Sequence, residues 1–180
     1  MNDKSHPTRK PTRLQNYDYS QNGCYFVTVC VQDRKRILSE IPIEIQKKPD
    51  FVGANCVRPI PTQIGKIAEA EIQRLDSVYP NVFVEAYIIM PNHIHLLLLF
   101  DDFACGRTQF APTLSRVIKQ FKGKMTKQIG FSIWQKGFYD RVIRNETEYL
   151  RAQGYIEYNT LKEYGQKTRT DQNSTEVITE

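Results

Sequence analysis

Little in this chain of 180 residues points to stapled, membrane-bound or nucleotide-driven chemistry. Its cysteines, Cys24, Cys30, Cys56 and Cys105, show no Cys-x-x-Cys spacing, which argues against a cysteine-rich zinc site and leaves reduced, packed thiols. No apolar run approaches the ~20 residues that span a bilayer. Met1 to Leu14 lacks the hydrophobic core of a signal peptide, so a cytoplasmic protein is expected. None of the glycine-rich phosphate loops is present, which removes the usual cradle for a nucleoside triphosphate. Acidic residues are outnumbered, and the net charge of +5 favours an anionic partner, of which nucleic acid is the commonest. Histidine is scarce, with His6 in a polar N-terminal arm and the other two close together at His93 and His95.

Those two stand in Met90-Pro91-Asn92-His93-Ile94-His95, followed by the apolar run Leu96 to Phe100. On a strand they project to one side with Cα atoms roughly 6.5 to 7 Å apart, a suitable bite for two imidazoles on one metal ion. Burying two polar rings costs free energy unless each finds a hydrogen bond or a ligand, so satisfied structural histidines are the alternative.

Length fits one domain with flexible ends. Residues 1–16 form a basic arm, with Lys4, Arg9, Lys10 and Arg13 against Asp3; it reads either as a segment that follows a phosphate backbone or as a solubilising tail. Gly23 to Val31 alternates two apolar sets, as a central strand does. Residues 39–61 carry Pro42, Pro49, Pro59 and Pro61 and read as a variable loop. A helix follows, capped by Thr62 and stopped by Pro80, with Lys66, Glu69, Glu71 and Arg74 on its outer face. Val82 to Met90 and His93 to Phe100 form an antiparallel hairpin across Pro91-Asn92.

A second helix runs from its cap Thr113 to Gly130. Leu114, Val117, Ile118, Phe121, Met125 and Ile129 make its core stripe, and Arg116, Lys119 and Lys127 lie opposite, as either a solvated face or a phosphate-contacting one. Phe131 to Ile143 contains Trp134 and the run Phe138, Asp140, Val142 alternating with Tyr139, Arg141, Ile143, which suits a fourth strand. Asn145 and Glu148 resemble a capping box opening a last helix to about Tyr164, and residues 165–180 read as a disordered tail. A single domain is expected over 17–164. The order strand, helix, strand, strand, helix, strand, helix implies an α+β fold, an antiparallel sheet covered by helices in a ferredoxin-like sandwich.

The last helix carries Tyr155 and Asn159 at i, i+4, with Tyr158 and Lys162 on the same side. If that face packs where the histidines emerge, two imidazoles, an amide oxygen and a phenol come together. A free phenol, with a pKa of about 10, is a weak nucleophile at neutral pH. A divalent ion that neutralises phosphodiester oxygens opens the phosphorus to attack. Position alone does not pick the nucleophile among ten tyrosines, since Tyr139, Tyr149 and Tyr158 are near in sequence.

Together, "GCYFVTVCVQDRKRIL", "EAYIIMPNHIHLLLLF", "PTLSRVIKQFKGKMTKQIG" and "IWQKGFYDRVIRNETEYLRAQGYIEYN" resemble the REP-associated tyrosine transposases, a branch of the single-tyrosine His-hydrophobe-His (HUH) transposases. The resemblance implies a metal-dependent endonuclease and strand transferase that cleaves single-stranded DNA near hairpins through a 5′-phosphotyrosine. It implies His93, His95 and Asn159 as metal ligands and Tyr155 as nucleophile. Mg2+ or Mn2+ is the implied ion, palindromic single-stranded DNA the partner, and a monomer or homodimer the acting species. Relatives commonly follow the asparagine with proline, whereas here Thr160 follows, and Gly154 precedes the tyrosine. Two other readings compete. A catalytically idle hairpin-binding module would bind DNA without a covalent product, and a histidine-triad phosphohydrolase would want a further histidine where Leu97 stands.

Overall fold

Valine and aromatic residues at alternating positions make Gly23–Cys30 (β1) a strand with two apolar faces, and in the computed structural model it lies inside a four-stranded sheet. Residues 17–19, 21–42, 58–101 and 112–157 are described. Ser39–Glu40 (β2) and Ile60–Pro61 (β3) pair as a small antiparallel ribbon at the two ends of the expected variable loop. Gln63–Gln73 (α1), Leu75–Val78 (α2), Val82–Met90 (β4), His93–Phe100 (β5), Leu114–Ile129 (α3), Tyr139–Ile143 (β6) and a helix over 146–157 (α4) follow. The sheet order is β4-β5-β1-β6, and every neighbouring pair is antiparallel.

One face of the sheet carries the larger core. Tyr25, Val27 and Val29 of β1 and Ile94, Leu96 and Leu98 of β5 pack there with Ala68 and Ile72 of α1 and with Leu114, Val117, Ile118, Phe121 and Met125 of α3. Thr62 caps α1, accepting from Gly65 N at 3.2 Å while donating to Ile37 O at 2.7 Å. Gly65 is required by packing: a Cβ there would stand 1.9 Å from the Leu38 carbonyl oxygen. Thr113 caps α3, and Gly130 ends it in the left-handed region at φ 90°.

Two expectations are corrected. The helix expected from Thr62 to Pro80 breaks at Arg74, where a tertiary demand wins: Leu75 enters the core, and the Asp76 carboxylate accepts from Val84 N at 3.0 Å, beside the irregularity between Val84 and Ala86 in β4. Glu71, expected outside, is buried, because it accepts hydrogen bonds from Arg74 and, across the helix pair, from Gln128. The fourth strand stands where its alternation placed it, at Tyr139–Ile143; the segment before it turns at Gly137, φ 79°, and places Trp134 against Val31 and Phe121.

The second face bears Cys24, Ile88, Met90 and Leu97, covered by Ala152 and Ile156 of α4 with Tyr149 beside them. Spacing i, i+3, i+7 gives α4 one apolar stripe. Complete burial of an isoleucine side chain contributes about 1.5–3 kcal/mol, so Ile156 is a principal anchor of this helix. Cys24 and Cys30 are buried free thiols, and burial pushes Cys24 up to about 11.

Candidate active site

His93 and His95 follow the tip of the β4–β5 hairpin, whose Pro91-Asn92 link is tied down by its carbonyls. Pro91 O accepts from Ile37 N and Leu38 N, at 2.9 and 3.0 Å, and Asn92 O accepts from Val31 N at 2.9 Å. Alternation along β5 sends Ile94, Leu96 and Leu98 into the larger core and both imidazoles to the α4 face. Register sets Cys30 opposite His93 and Thr28 opposite His95. The rings are 4% and 5% exposed, so every nitrogen needs a partner.

His93 Nδ1 lies 2.6 Å from Asn92 Oδ1, His95 Nδ1 lies 2.9 Å from Thr28 Oγ1, and the two Nε2 atoms lie 3.0 Å apart. An amide oxygen only accepts, so His93 Nδ1 carries a proton and its Nε2 presents a lone pair. A threonine hydroxyl both donates and accepts. It therefore suits either tautomer of His95, including the one whose Nε2 lone pair points at the same place as that of His93. Burial holds both rings neutral: His93 is lowered to about 4, with Arg34 adding to the effect, and His95 to about 3, with His93 adding.

Neutral imidazoles are what a metal needs. Bonds of about 2.1 Å meeting at a right angle span about 3.0 Å between nitrogens, so the pair fits two positions of one ion. Among the described residues no group of three His, Cys, Asp or Glu side chains could hold a metal. Asn159, the expected third ligand, lies outside the described residues, as do Tyr158, Arg9, Lys10 and Arg13.

Tyr155 does reach the histidines. Its ring meets His95 edge-on at 5.2 Å between centroids and Phe26 at 5.7 Å, while Phe26 stacks on His95 at 5.1 Å. Tyr155 stands beside the buried stripe of α4 and is 38% exposed. Three features bring α4 here: its apolar stripe; its cap, where Asn145 Oδ1 accepts from Glu148 N at 2.9 Å; and the Tyr149 hydroxyl, which donates to Glu85 Oε2 at 2.8 Å. The last contact pushes Tyr149 up to about 12, which makes it a poorer nucleophile at neutral pH. Tyr139 sits on β6 opposite Thr28, on the same face of the sheet.

A pocket of about 740 Å³ opens beside Tyr155, lined by Phe26, Arg141, Ile143 and Glu148 and by Arg151, Ala152, Gly154 and Tyr155 of α4. Sequence reasoning did not single out Phe26, Thr28, Arg141 or Arg151 for this site, and it read Glu148 only as a cap. The alternation of β1 puts Phe26 and Thr28 on one face, but nothing local says that β5 and β6 flank it. Arg116, Lys119 and Lys127 are exposed on α3, the helix on the opposite face of the sheet from the imidazoles.

No family model matches the chain. A Haemophilus influenzae protein provisionally named a REP-associated tyrosine transposase is 29% identical over 160 residues, 83% of this chain and 77% of the relative. A second protein of that bacterium, called only uncharacterised, is 23% identical over 172 residues, 85% of this chain and 88% of its own. The solved structure of a REP-associated tyrosine transposase bound to a REP hairpin matches with a TM-score of 0.55 at 18% identity, over 84% of this chain and 74% of that one, a likeness of fold. Among the described residues no helix is long and apolar enough to cross a membrane.

Proposed function

We propose that this chain, which resembles the REP-associated tyrosine transposases in sequence and in fold, is a metal-dependent endonuclease and strand transferase acting on single-stranded DNA beside a hairpin. The observation that carries the reading is the approach of one phenol to the imidazole pair, with the Tyr155 and His95 rings 5.2 Å apart. The sheet order β4-β5-β1-β6, antiparallel throughout, supports a ferredoxin-like sandwich beneath it.

In this reading His93 and His95 hold Mg2+ or Mn2+ through Nε2, with Asn159 as a third ligand. When bound, such an ion neutralises phosphodiester oxygens and stabilises the charge of the transition state. Asn92 and Thr28 fix the two rings, and the apolar surround of Phe26 and Leu97 limits water. Tyr155 Oη attacks phosphorus and gives its proton to solvent, the bond to the 3′-oxygen breaks, and that oxygen takes a proton from solvent and leaves as a hydroxyl. The 5′-phosphotyrosyl ester conserves the broken bond, so attack by another 3′-hydroxyl rejoins DNA without a nucleoside triphosphate.

The test is incubation of end-labelled single-stranded hairpins with Mg2+ or Mn2+ and the wild-type, Tyr155→Phe and Tyr158→Phe proteins. A denaturant-resistant adduct that needs metal, vanishes in Tyr155→Phe and persists in Tyr158→Phe supports the reading. Hairpin binding with no adduct from folded, metal-loaded protein replaces it with an idle binding module.

A further inference from the structure

The sheet face around Tyr155 is only partly covered. At one end α4 buries Cys24, Leu97, Ile88 and Met90. Towards β6 the same face stays open, and the residues there are of a particular kind. Register places Phe26 beside Arg141 and Thr28 beside Tyr139, so Arg141 and Tyr139 share the face of the imidazoles. Tyr139 is 45% exposed, and Arg151 reaches in from α4. The Phe26 ring, Ile143 and the guanidinium groups of Arg141 and Arg151 line a volume of about 740 Å³ next to Tyr155, with Tyr139 further along the same face. That size falls within the roughly 300–1,000 Å³ of sites that enclose small organic molecules. Aromatic rings interleaved with cations are what an unpaired nucleotide needs, since every base has a face to stack and every phosphate a charge to meet.

The pocket also holds its own anion. Glu148 Oε1 lies 3.7 Å from an Arg141 guanidinium nitrogen, while Glu148 Oε2 accepts from Arg144 N at 3.1 Å. Arg141 is far more exposed than Glu148, 69% against 21% at the side chain, so the carboxylate is fixed by the helix start and the guanidinium is the partner free to swing. A carboxylate placed this way stands where a phosphate would bind.

We propose that the pocket between α4 and β6 is a subsite for one unpaired nucleotide adjoining the phosphate presented to Tyr155, its base against Phe26 and its phosphates on Arg141 and Arg151, with Glu148 occupying Arg141 until DNA displaces it. The subsite rests on the proposed nucleophilic role of Tyr155 only for its position along the strand. Binding there needs no cleavage, so the two ideas fail separately.

The test uses the full chain and fluorescein-labelled single-stranded oligothymidylate of about ten nucleotides, a length within the range one small domain covers. Arg141→Gln with Arg151→Gln is expected to weaken binding about tenfold at ~0.1 M salt. It should also lower the slope of log affinity against log salt by about 1.4, the value for two lost phosphate contacts on a single strand. Glu148→Gln keeps an oxygen for the Arg144 amide and removes the competing charge, so it is expected to tighten binding severalfold, a gain that a purely structural role would not give. With 5-iododeoxyuridine in the oligonucleotide and the non-cleaving Tyr155→Phe protein, photocrosslinks are expected on the peptide carrying Phe26. Unchanged affinity and salt slope in the folded double arginine variant overturn the subsite. Weaker binding in Glu148→Gln, or crosslinks confined to α3, do so as well.

Discussion

Acid should unfold this protein early, and the imidazole pair sets the amount. In the unfolded chain each histidine takes a proton near pH 6.5. In the fold His93 stays neutral down to about 4 and His95 down to about 3, chiefly because they are buried. The unfolded state therefore binds more protons throughout the interval, and stability falls as pH falls. The contribution is fully present above about pH 6.5 and is lost progressively down to the folded values. Between about pH 6 and about pH 5 each ring withdraws about 1.2 kcal/mol, so the pair withdraws about 2.4 kcal/mol. That is a large share of the roughly 5–15 kcal/mol that holds a domain together. Urea denaturation at these two pH values, with chelator present, measures it directly. Replacing one ring by His93→Asn should halve the loss. A wild-type difference below about 0.5 kcal/mol would refute the premise that both rings are buried in the neutral form.

Other substitutions probe the supports of the site. Thr28→Val keeps the branched shape and removes the hydroxyl 2.9 Å from His95 Nδ1. It should cost about 1–3 kcal/mol in thermal or chemical melts, and by calorimetry it should weaken Mn2+ binding about ten- to a hundredfold; unchanged metal affinity would remove Thr28 from the account. Two glycines should respond in opposite directions. Gly65→Ala drives a Cβ to within 1.9 Å of the Leu38 carbonyl, and at least about 2 kcal/mol of stability should go with it. Gly154→Ala meets nothing within 4 Å, and the melting temperature should rise by the equivalent of up to about 1 kcal/mol. Melts of the two variants side by side decide the matter, and the opposite order would contradict the packing described for α1 and α4.

The elements legible in the sequence were those whose cause is local. Alternation on either side of Pro91-Asn92 gave both strands of the hairpin, and Thr62, Thr113, Gly130 and Asn145 marked helix ends through hydrogen bonds or φ angles spanning only a few residues. The break at Arg74 was not legible because its reason is distant, in the Asp76 bond to Val84. Glu71 looked like a surface residue because the glutamine that bonds it is Gln128, on another helix. The site divides along the same line. His-x-His on one strand announces itself, and the family resemblance nominates Tyr155, but Thr28, Phe26 and Arg141 become neighbours of the site only through the pairing of β1 with β5 and β6. The expected burial of the Tyr155 face is also refined. The stripe that docks α4 is Tyr149, Ala152 and Ile156, and Tyr155 owes its place at the border of the pocket to standing next to that stripe rather than within it.

The central claim is that Tyr155 is the group that takes the phosphate. The most direct measurement is to form the covalent complex on hairpin DNA with metal, trim the DNA with nuclease, digest with trypsin and locate the modified tyrosine by fragmentation mass spectrometry. Cleavage after Arg151 and Lys162 leaves Tyr155 and Tyr158 on one peptide, so fragment ions between them decide which residue is modified. A nucleotide phosphate on Tyr155 is the predicted result. The same mass on Tyr158, Tyr149 or Tyr139, or no phosphotyrosyl peptide from protein that cleaves the DNA, would contradict the account.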